Sequence, residues 1–345
     1  MAVTDKEGNK LKVSGEAPKL VIEVPEQNEV DENAMGGTEL MKYGLFDRLD
    51  PELLNQFQII PSRVRALDPD KKKILWLHDL PGDPESQHLK DGGWSKFDSL
   101  VFVSHWQKQQ YTNFLGIPPS AGVVLQNAIQ PIPEKKKSYR KNGKINIIYH
   151  TTPHRGLELL VPVFQKLRDQ VFKKEKIKVH LDVYSSFEIY GWPQRDEEYK
   201  ELFQIIKDDP DMTYHGFKPQ EEVREALQKA HIFAYPSIWQ ETSCLALIEA
   251  MSAGCLCVHS SLAALPETSA NWSMQYEFTE DINTHANRFA QQLYDACRLY
   301  NDENLKARLD MQKQYVNGFY NWEVRSAQWD AFLRGFLNNP EEQTQ

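Results

Sequence analysis

Residues Tyr235–Gly254 read YPSIWQETSCLALIEAMSAG. An apolar run ends in Tyr-Pro-Ser, a short polar loop holds Glu241, and a helix follows over Cys244–Ser252. Leu245, Leu247, Ile248, Ala250 and Met251 make that helix apolar on most sides. Glu249, in a Glu-x7-Glu relation to Glu241, lies inside it, where a carboxylate is costly unless it meets a polar partner. The helix start offers free amides and a positive dipole end, which suit a phosphate or a sugar oxygen. The same glutamates also fit a purely structural pattern, with Glu241 capping the helix and Glu249 held in a salt bridge.

Outward from this segment, short β-branched runs alternate with helical patterns. Strands are expected at Lys19–Val24, Phe57–Ile60, Ile74–His78, Leu100–Ser104 and Gly122–Gln126, with helices at Thr38–Leu49 and His105–Leu115. A proline-flanked stretch after Gln130 ends this unit. A second series places strands at Ile145–His150, Val179–Tyr184, Met212–His215, Ile232–Tyr235 and Leu256–His259. Its helices fall at Leu157–Asp169, Asp196–Lys207, Pro219–Ala230 and Cys244–Ser252, and the chain from Thr284 onward reads as helices. Alternation of this kind implies two α/β units with parallel sheets and ligands at the carboxyl ends of the strands.

The 345 residues suit two domains, and 41% hydrophobic with 26% charged residues is an ordinary globular composition. A net charge of −9 argues against nucleic acid as a partner. One basic run, Glu134–Lys144 (EKKKSYRKNGK), fits a solvated linker, a weak peripheral contact with an anionic membrane, or a contact with a phosphorylated acceptor. No window matches a membrane span and the first residues lack a secretory pattern, so a cytoplasmic location is expected. Cys244, Cys255, Cys257 and Cys297 lack zinc-finger spacing and read as free core thiols.

The Tyr235–Gly254 segment resembles the retaining glycosyltransferases of family 4 and their GT-B relatives. Pro236, Ser237, Glu241, Glu249, Ala250, Met251 and Gly254 carry the likeness, with Leu265-Pro266-Glu267 downstream. The resemblance implies that Glu241 contacts donor-sugar hydroxyls, that Glu249 grips the ribose diol, and that Thr242, Ser243, Cys244 and Leu245 line the donor site. Cys244 stands where the family usually has glycine.

Other elements follow in family order. Gly36 and Gly37, in Met35–Glu39, resemble a Gly-Gly-x-Glu loop whose backbone approaches the diphosphate or sugar. His78-Asp79 at a strand end resembles a His-Asp pair facing the donor sugar, and the Asn127–Gln130 turn lacks the family's aspartate. Arg155-Gly156 takes the Lys-Gly place on the diphosphate, where arginine grips phosphate in a bidentate way. The usual upstream arginine is missing around Tyr149–Thr151, which leaves the load to Arg155, or shares it with His150 and the threonines. Gly216 and Phe217 resemble the loop lining the nucleobase, and Tyr320–Glu323 resembles a Phe-Ser-Trp-Glu element.

Asp68-Pro-Asp70 and Asp209-Pro-Asp211 match a bare Asp-x-Asp pattern but read as turns, so neither a metal nor another cofactor is expected. The likeness implies a GT-B fold of two Rossmann-like domains facing a cleft. Its divisions are a tail 1–18, an acceptor-side unit 19–133, a basic linker 134–143, a nucleotide-sugar unit 144–315 and a returning helix 316–345. The expected activity is metal-independent transfer of a hexose-type sugar, with retention, from a nucleotide-diphosphate donor to a glycan, lipid or small-molecule acceptor. Glu241, His78 and Arg155 are the catalytic candidates. The rival readings are a nucleotide-sugar-binding protein without turnover and a GT-B-fold epimerase.

Overall fold

The computed structural model describes residues 36–133, 143–300 and 302–338. The tail 1–18, the strand expected at Lys19–Val24, Met35 and linker residues 134–142 lie outside them.

The first unit runs α1 (Gly37–Phe46), α2 (Pro51–Leu54), β1 (Phe57–Pro61), β2 (Lys72–Leu77), β3 (Ser99–Phe102), α3 (His105–Leu115) and β4 (Gly122–Val124). The four strands pair in parallel in the order β1-β2-β3-β4. Ile74–Leu77 are all buried, as an apolar run in a sheet covered on both faces should be. Helix α3 starts where the Ser104 hydroxyl accepts from Gln107 N at 3.0 Å and stops at Gly116, whose φ is +67°.

The second unit continues with β5 (Lys144–Tyr149), α4 (Leu157–Leu167), α5 (Lys173–Glu175), β6 (Lys178–Val183), α6 (Lys200–Asp208), β7 (Met212–Tyr214) and α7 (Gln220–Leu227). It is completed by β8 (Ile232–Tyr235), α8 (Leu245–Ser252), β9 (Leu256–Ser260), α9 (Leu265–Ser269), β10 (Met274–Tyr276) and α10 (Ile282–Leu299), before α11 (Glu303–Phe319) and α12 (Trp322–Leu337). Its parallel sheet has the order β10-β9-β8-β5-β6-β7. The strand order reverses between β5 and β8, and a crevice opens beyond the carboxyl ends of such a pair.

The α/β class with parallel sheets is as the alternation implied, and the differences are local. The helix expected from Asp196 begins at Lys200, because Pro193–Tyr199 winds as 3-10 turns. The expected Thr38–Leu49 helix ends at Phe46. Strand β10 has only three residues, too few to show a period.

Two chain crossings join the units, and they bond to each other: Ile129 N donates to Tyr320 O at 2.7 Å. Beyond the second crossing, α12 lies in the first unit's core. Trp322, Trp329 and Leu333 pack with Met41, Leu45, Leu53 and Trp76, and the Trp76 and Trp329 rings stand 4.9 Å apart. Gly44 permits this contact, since a Cβ there would meet Trp322 at 2.2 Å.

Candidate functional site in the cleft

A cleft of about 710 Å³ opens between the two units. Its walls include α1, the end of β2, and the loops after β5, β6, β7 and β8. The loops after β5 and β8 flank the reversal of strand order, and they carry Arg155 and Glu241.

Gly156 sets how closely these loops approach. Its φ is +124°, and a Cβ there would stand 2.4 Å from the carbonyl oxygen of Pro236. Any larger residue would push the loops apart. With glycine in place, Arg155 Nη1 donates to Glu241 Oε1 at 2.6 Å. The Tyr235 hydroxyl also donates to Glu241 Oε1, and Arg155 Nη2 donates to the Tyr190 hydroxyl at 3.2 Å. Burial alone would lower the Arg155 pKa, but the Glu241 carboxylate outweighs it and holds the guanidinium well above its usual value. Burial and the same carboxylate raise Tyr235 well above the usual phenol range, so it remains a neutral donor.

Glu249 is buried inside α8 and is satisfied from α7. Gln220 Nε2 lies 2.7 Å from each carboxylate oxygen, and Arg224 Nη1 lies 3.3 Å from Oε1. Burial raises its pKa, against the pull of the Arg224 charge and the Gln220 hydrogen bonds. The salt bridge considered for Glu249 is therefore present, whereas no side chain caps α8, so Glu241 is not a cap.

His78 and Asp79 line the opposite wall. The Thr242 hydroxyl donates to His78 O at 2.7 Å, tying the glutamate loop of the second unit to β2 of the first. Burial pushes the His78 imidazole down to about 3 and leaves its Nε2 without a partner, so the ring is neutral. Burial, then the charge of Asp83, raises Asp79 to about 6. His150 is lowered to about 4 and His154 to about 3, each chiefly by burial.

Gly37, His78, Arg155, Gly216, Phe217, Glu241, Thr242, Ser243, Cys244, Leu245 and Glu249 all line this cleft. Gly36 does not face it; it is buried beneath Tyr190, whose Cε1 would stand 2.7 Å from a Cβ at that position. Burial, then Glu241, pushes the Cys244 thiol far up, so it stays protonated. Glu267 bridges the units instead: its carboxylate accepts from His105 N at 2.8 Å and Trp106 N at 2.9 Å, at the positive end of α3.

Sequence reasoning missed Tyr190, Tyr235, Gln220 and Arg224 as partners of the key side chains. Tyr190-Gly191-Trp192 is an aromatic pair around a glycine, the one available signal; the others leave no local mark.

Two α/β units with parallel sheets facing a shared cleft are the GT-B glycosyltransferase fold. Residues 129–310 match the family described as glycosyl transferases group 1, and the chain belongs to it. It is therefore a glycosyltransferase of the kind that draws on a nucleotide-sugar donor.

No curated protein matches the sequence. Solved structures share the fold at low identity. A glycosyltransferase from Rickettsia africae is 15% identical with a TM-score of 0.65, covering 90% of this chain and 85% of that one. HepE of Anabaena, solved with UDP and glucose, is 13% identical (TM-score 0.55; 77% of this chain, 72% of that one). The pneumococcal O-GlcNAc transferase GtfA, solved with UDP and GlcNAc, is 12% identical (TM-score 0.56), and the match covers 78% of this chain but only 53% of GtfA. Among the described residues no helix is long and apolar enough to cross a membrane.

Proposed function

We propose that the chain moves a hexose-type sugar from a nucleoside-diphosphate sugar to an acceptor with retention of anomeric configuration and without a metal. The observation that carries this reading is the convergence of Arg155, Glu241 and Glu249 on one cleft that also receives the N-terminus of α1. In this scheme Glu249 takes the ribose, Glu241 the donor hydroxyls, and Arg155 with the α1 amides takes the diphosphate. Charge growing on the leaving diphosphate meets a guanidinium already fixed in place, so little reorganisation is needed as the bond breaks. The departing phosphate accepts the acceptor proton.

The two Asp-x-Asp pairs support the metal-free reading. Asp209 is engaged by Arg168 and by Asp211 N at 2.9 Å, and Asp68 Oδ1 accepts from Asp70 N at 3.0 Å. Both are structural turns. The HepE and GtfA likenesses support a sugar-nucleotide donor, and their ligands make UDP-hexoses the first to assay.

The test is release of nucleoside diphosphate from UDP-, GDP- and ADP-sugars, with and without EDTA. Release that persists in EDTA, with an anomeric product matching the donor by NMR, is expected. Complete loss in EDTA, restored by manganese or magnesium, overturns the metal-free mechanism. Donor binding with no release, in any pairing with acceptors, would leave a binding protein in its place.

A further inference from the structure

The segment after β6 is built as a fixed projection into the cleft. Ser186 starts the 3-10 turn Phe187–Tyr190 by accepting from Glu188 N at 2.9 Å, and Asp196 accepts from Phe187 N at 2.8 Å and from the Ser186 hydroxyl. The buried Phe187 ring stacks on His154 at 5.1 Å, with the Arg195 guanidinium 4.3 Å over it. Gly191, with φ of +74°, turns the chain back. Tyr190 at the tip is thereby aimed by a base locked on several sides.

Its position joins two elements from opposite walls. The ring lies on Gly36, just before α1, leaving no room for a Cβ. The hydroxyl accepts from Arg155 Nη2 at 3.2 Å. An oxygen that accepts from a guanidinium keeps its own proton for donation, and no described residue takes that proton. Tyr190 thus stands between Gly36, the residue before α1, and Arg155, the cation assigned above to the diphosphate.

We propose that Tyr190 is a ligand of the donor's diphosphate, donating its hydroxyl proton to a phosphate oxygen while Arg155 orients it from the other side. The proposal rests on the nucleotide-sugar reading and adds a residue to it. A neutral donor beside a guanidinium strengthens the grip on a dianion without adding a second buried cation.

Tyr190→Phe keeps the ring on Gly36 and removes only the hydroxyl. Titration calorimetry with UDP, GDP and ADP, and with the matching nucleosides, gives the readout. The variant should bind the preferred diphosphate about tenfold more weakly than wild type, the loss typical of one hydrogen bond to a charged group. Its nucleoside affinity and melting temperature should not change. Equal diphosphate affinity overturns the proposal, and tighter binding does so too, because the hydroxyl would then be a plug that the phosphate must displace. Arg155→Ala separates the layers: a loss there with none at Tyr190→Phe sinks this proposal and keeps the reading beneath it. A wild-type protein that binds none of the three diphosphates sinks both.

Discussion

Arg155 and Glu241, 86 positions apart, form one ion pair with Nη1 and Oε1 2.6 Å from each other, although sequence reasoning assigned them to different parts of the donor. The side chains are 21% and 7% exposed, so the pair sits at the floor of the cleft within reach of a ligand. Each therefore presets the other, and a change at one also disturbs its partner.

Arg155→Ala should lower kcat by about 100- to 1000-fold, the usual effect of removing one preorganised donor. The drop should appear equally in kcat/KM, as for an interaction strongest in the transition state. Arg155→Lys should recover only part of it, because an ammonium cannot bond Glu241, Tyr190 and a phosphate in one plane. Steady-state kinetics on the true donor checks this. His150→Ala is the control, and a larger drop there would move the diphosphate load to that imidazole.

Glu249→Ala should weaken binding of the bare nucleotide as much as of the sugar nucleotide, by about 2–3 kcal/mol if a charged double hydrogen bond to ribose is lost. The same change leaves Gln220 and Arg224 without their buried acceptor, so the melting temperature should fall as well. Calorimetry with the preferred nucleotide separates the two effects, and unchanged affinity in a folded variant removes the ribose assignment.

Gly156→Ala should be costly far beyond the loss of one hydrogen atom. A residue with a Cβ must either hold φ of +124° or drive the Pro236 carbonyl away from a 2.4 Å contact. Backbone strain of this kind costs about 1–3 kcal/mol, and relieving it separates Arg155 from Glu241. Urea unfolding should show the stability loss, and activity should fall by more than the unfolded fraction explains.

Stability should fall as pH drops below neutral. His78 and His154 titrate at about 3, and His150 and His259 at about 4, all lowered chiefly by burial from an ordinary 6.5. Between those values and 6.5 the unfolded chain binds more protons than the folded one, so stability rises with pH through that window. Asp79, raised to about 6 from 3.8, acts in the opposite sense and favours the fold until pH exceeds its folded value. Glu249, also raised by burial, joins Asp79, but the lowered imidazoles, with His88, His180 and His285 among them, outnumber these two carboxyls and set the net direction. Urea midpoints should therefore fall between about pH 7 and about pH 5, and fall more steeply in Asp79→Asn. A flat profile would mean that these rings gain solvent in the folded state.

The sequence by itself determined the local plan. The apolar run at Ile74–Leu77, the helix over His105–Leu115, and the helices at Leu157 and Leu245 each follow from residue order over one or two turns. It also marked Arg155, Glu241 and Glu249, because those side chains stand at strand ends or inside an apolar helix. It could not show who meets whom. Arg155 reaches Glu241 only because β5 and β8 are neighbours where the strand order reverses, and Gly156 lets their loops touch. Glu249 meets Gln220 and Arg224 through the packing of α7 on α8, and Tyr190 reaches Gly36 across the cleft through a turn anchored by Asp196. Periodicity and capping act over a few residues, whereas these contacts depend on sheet order and helix packing, which only the assembled chain decides.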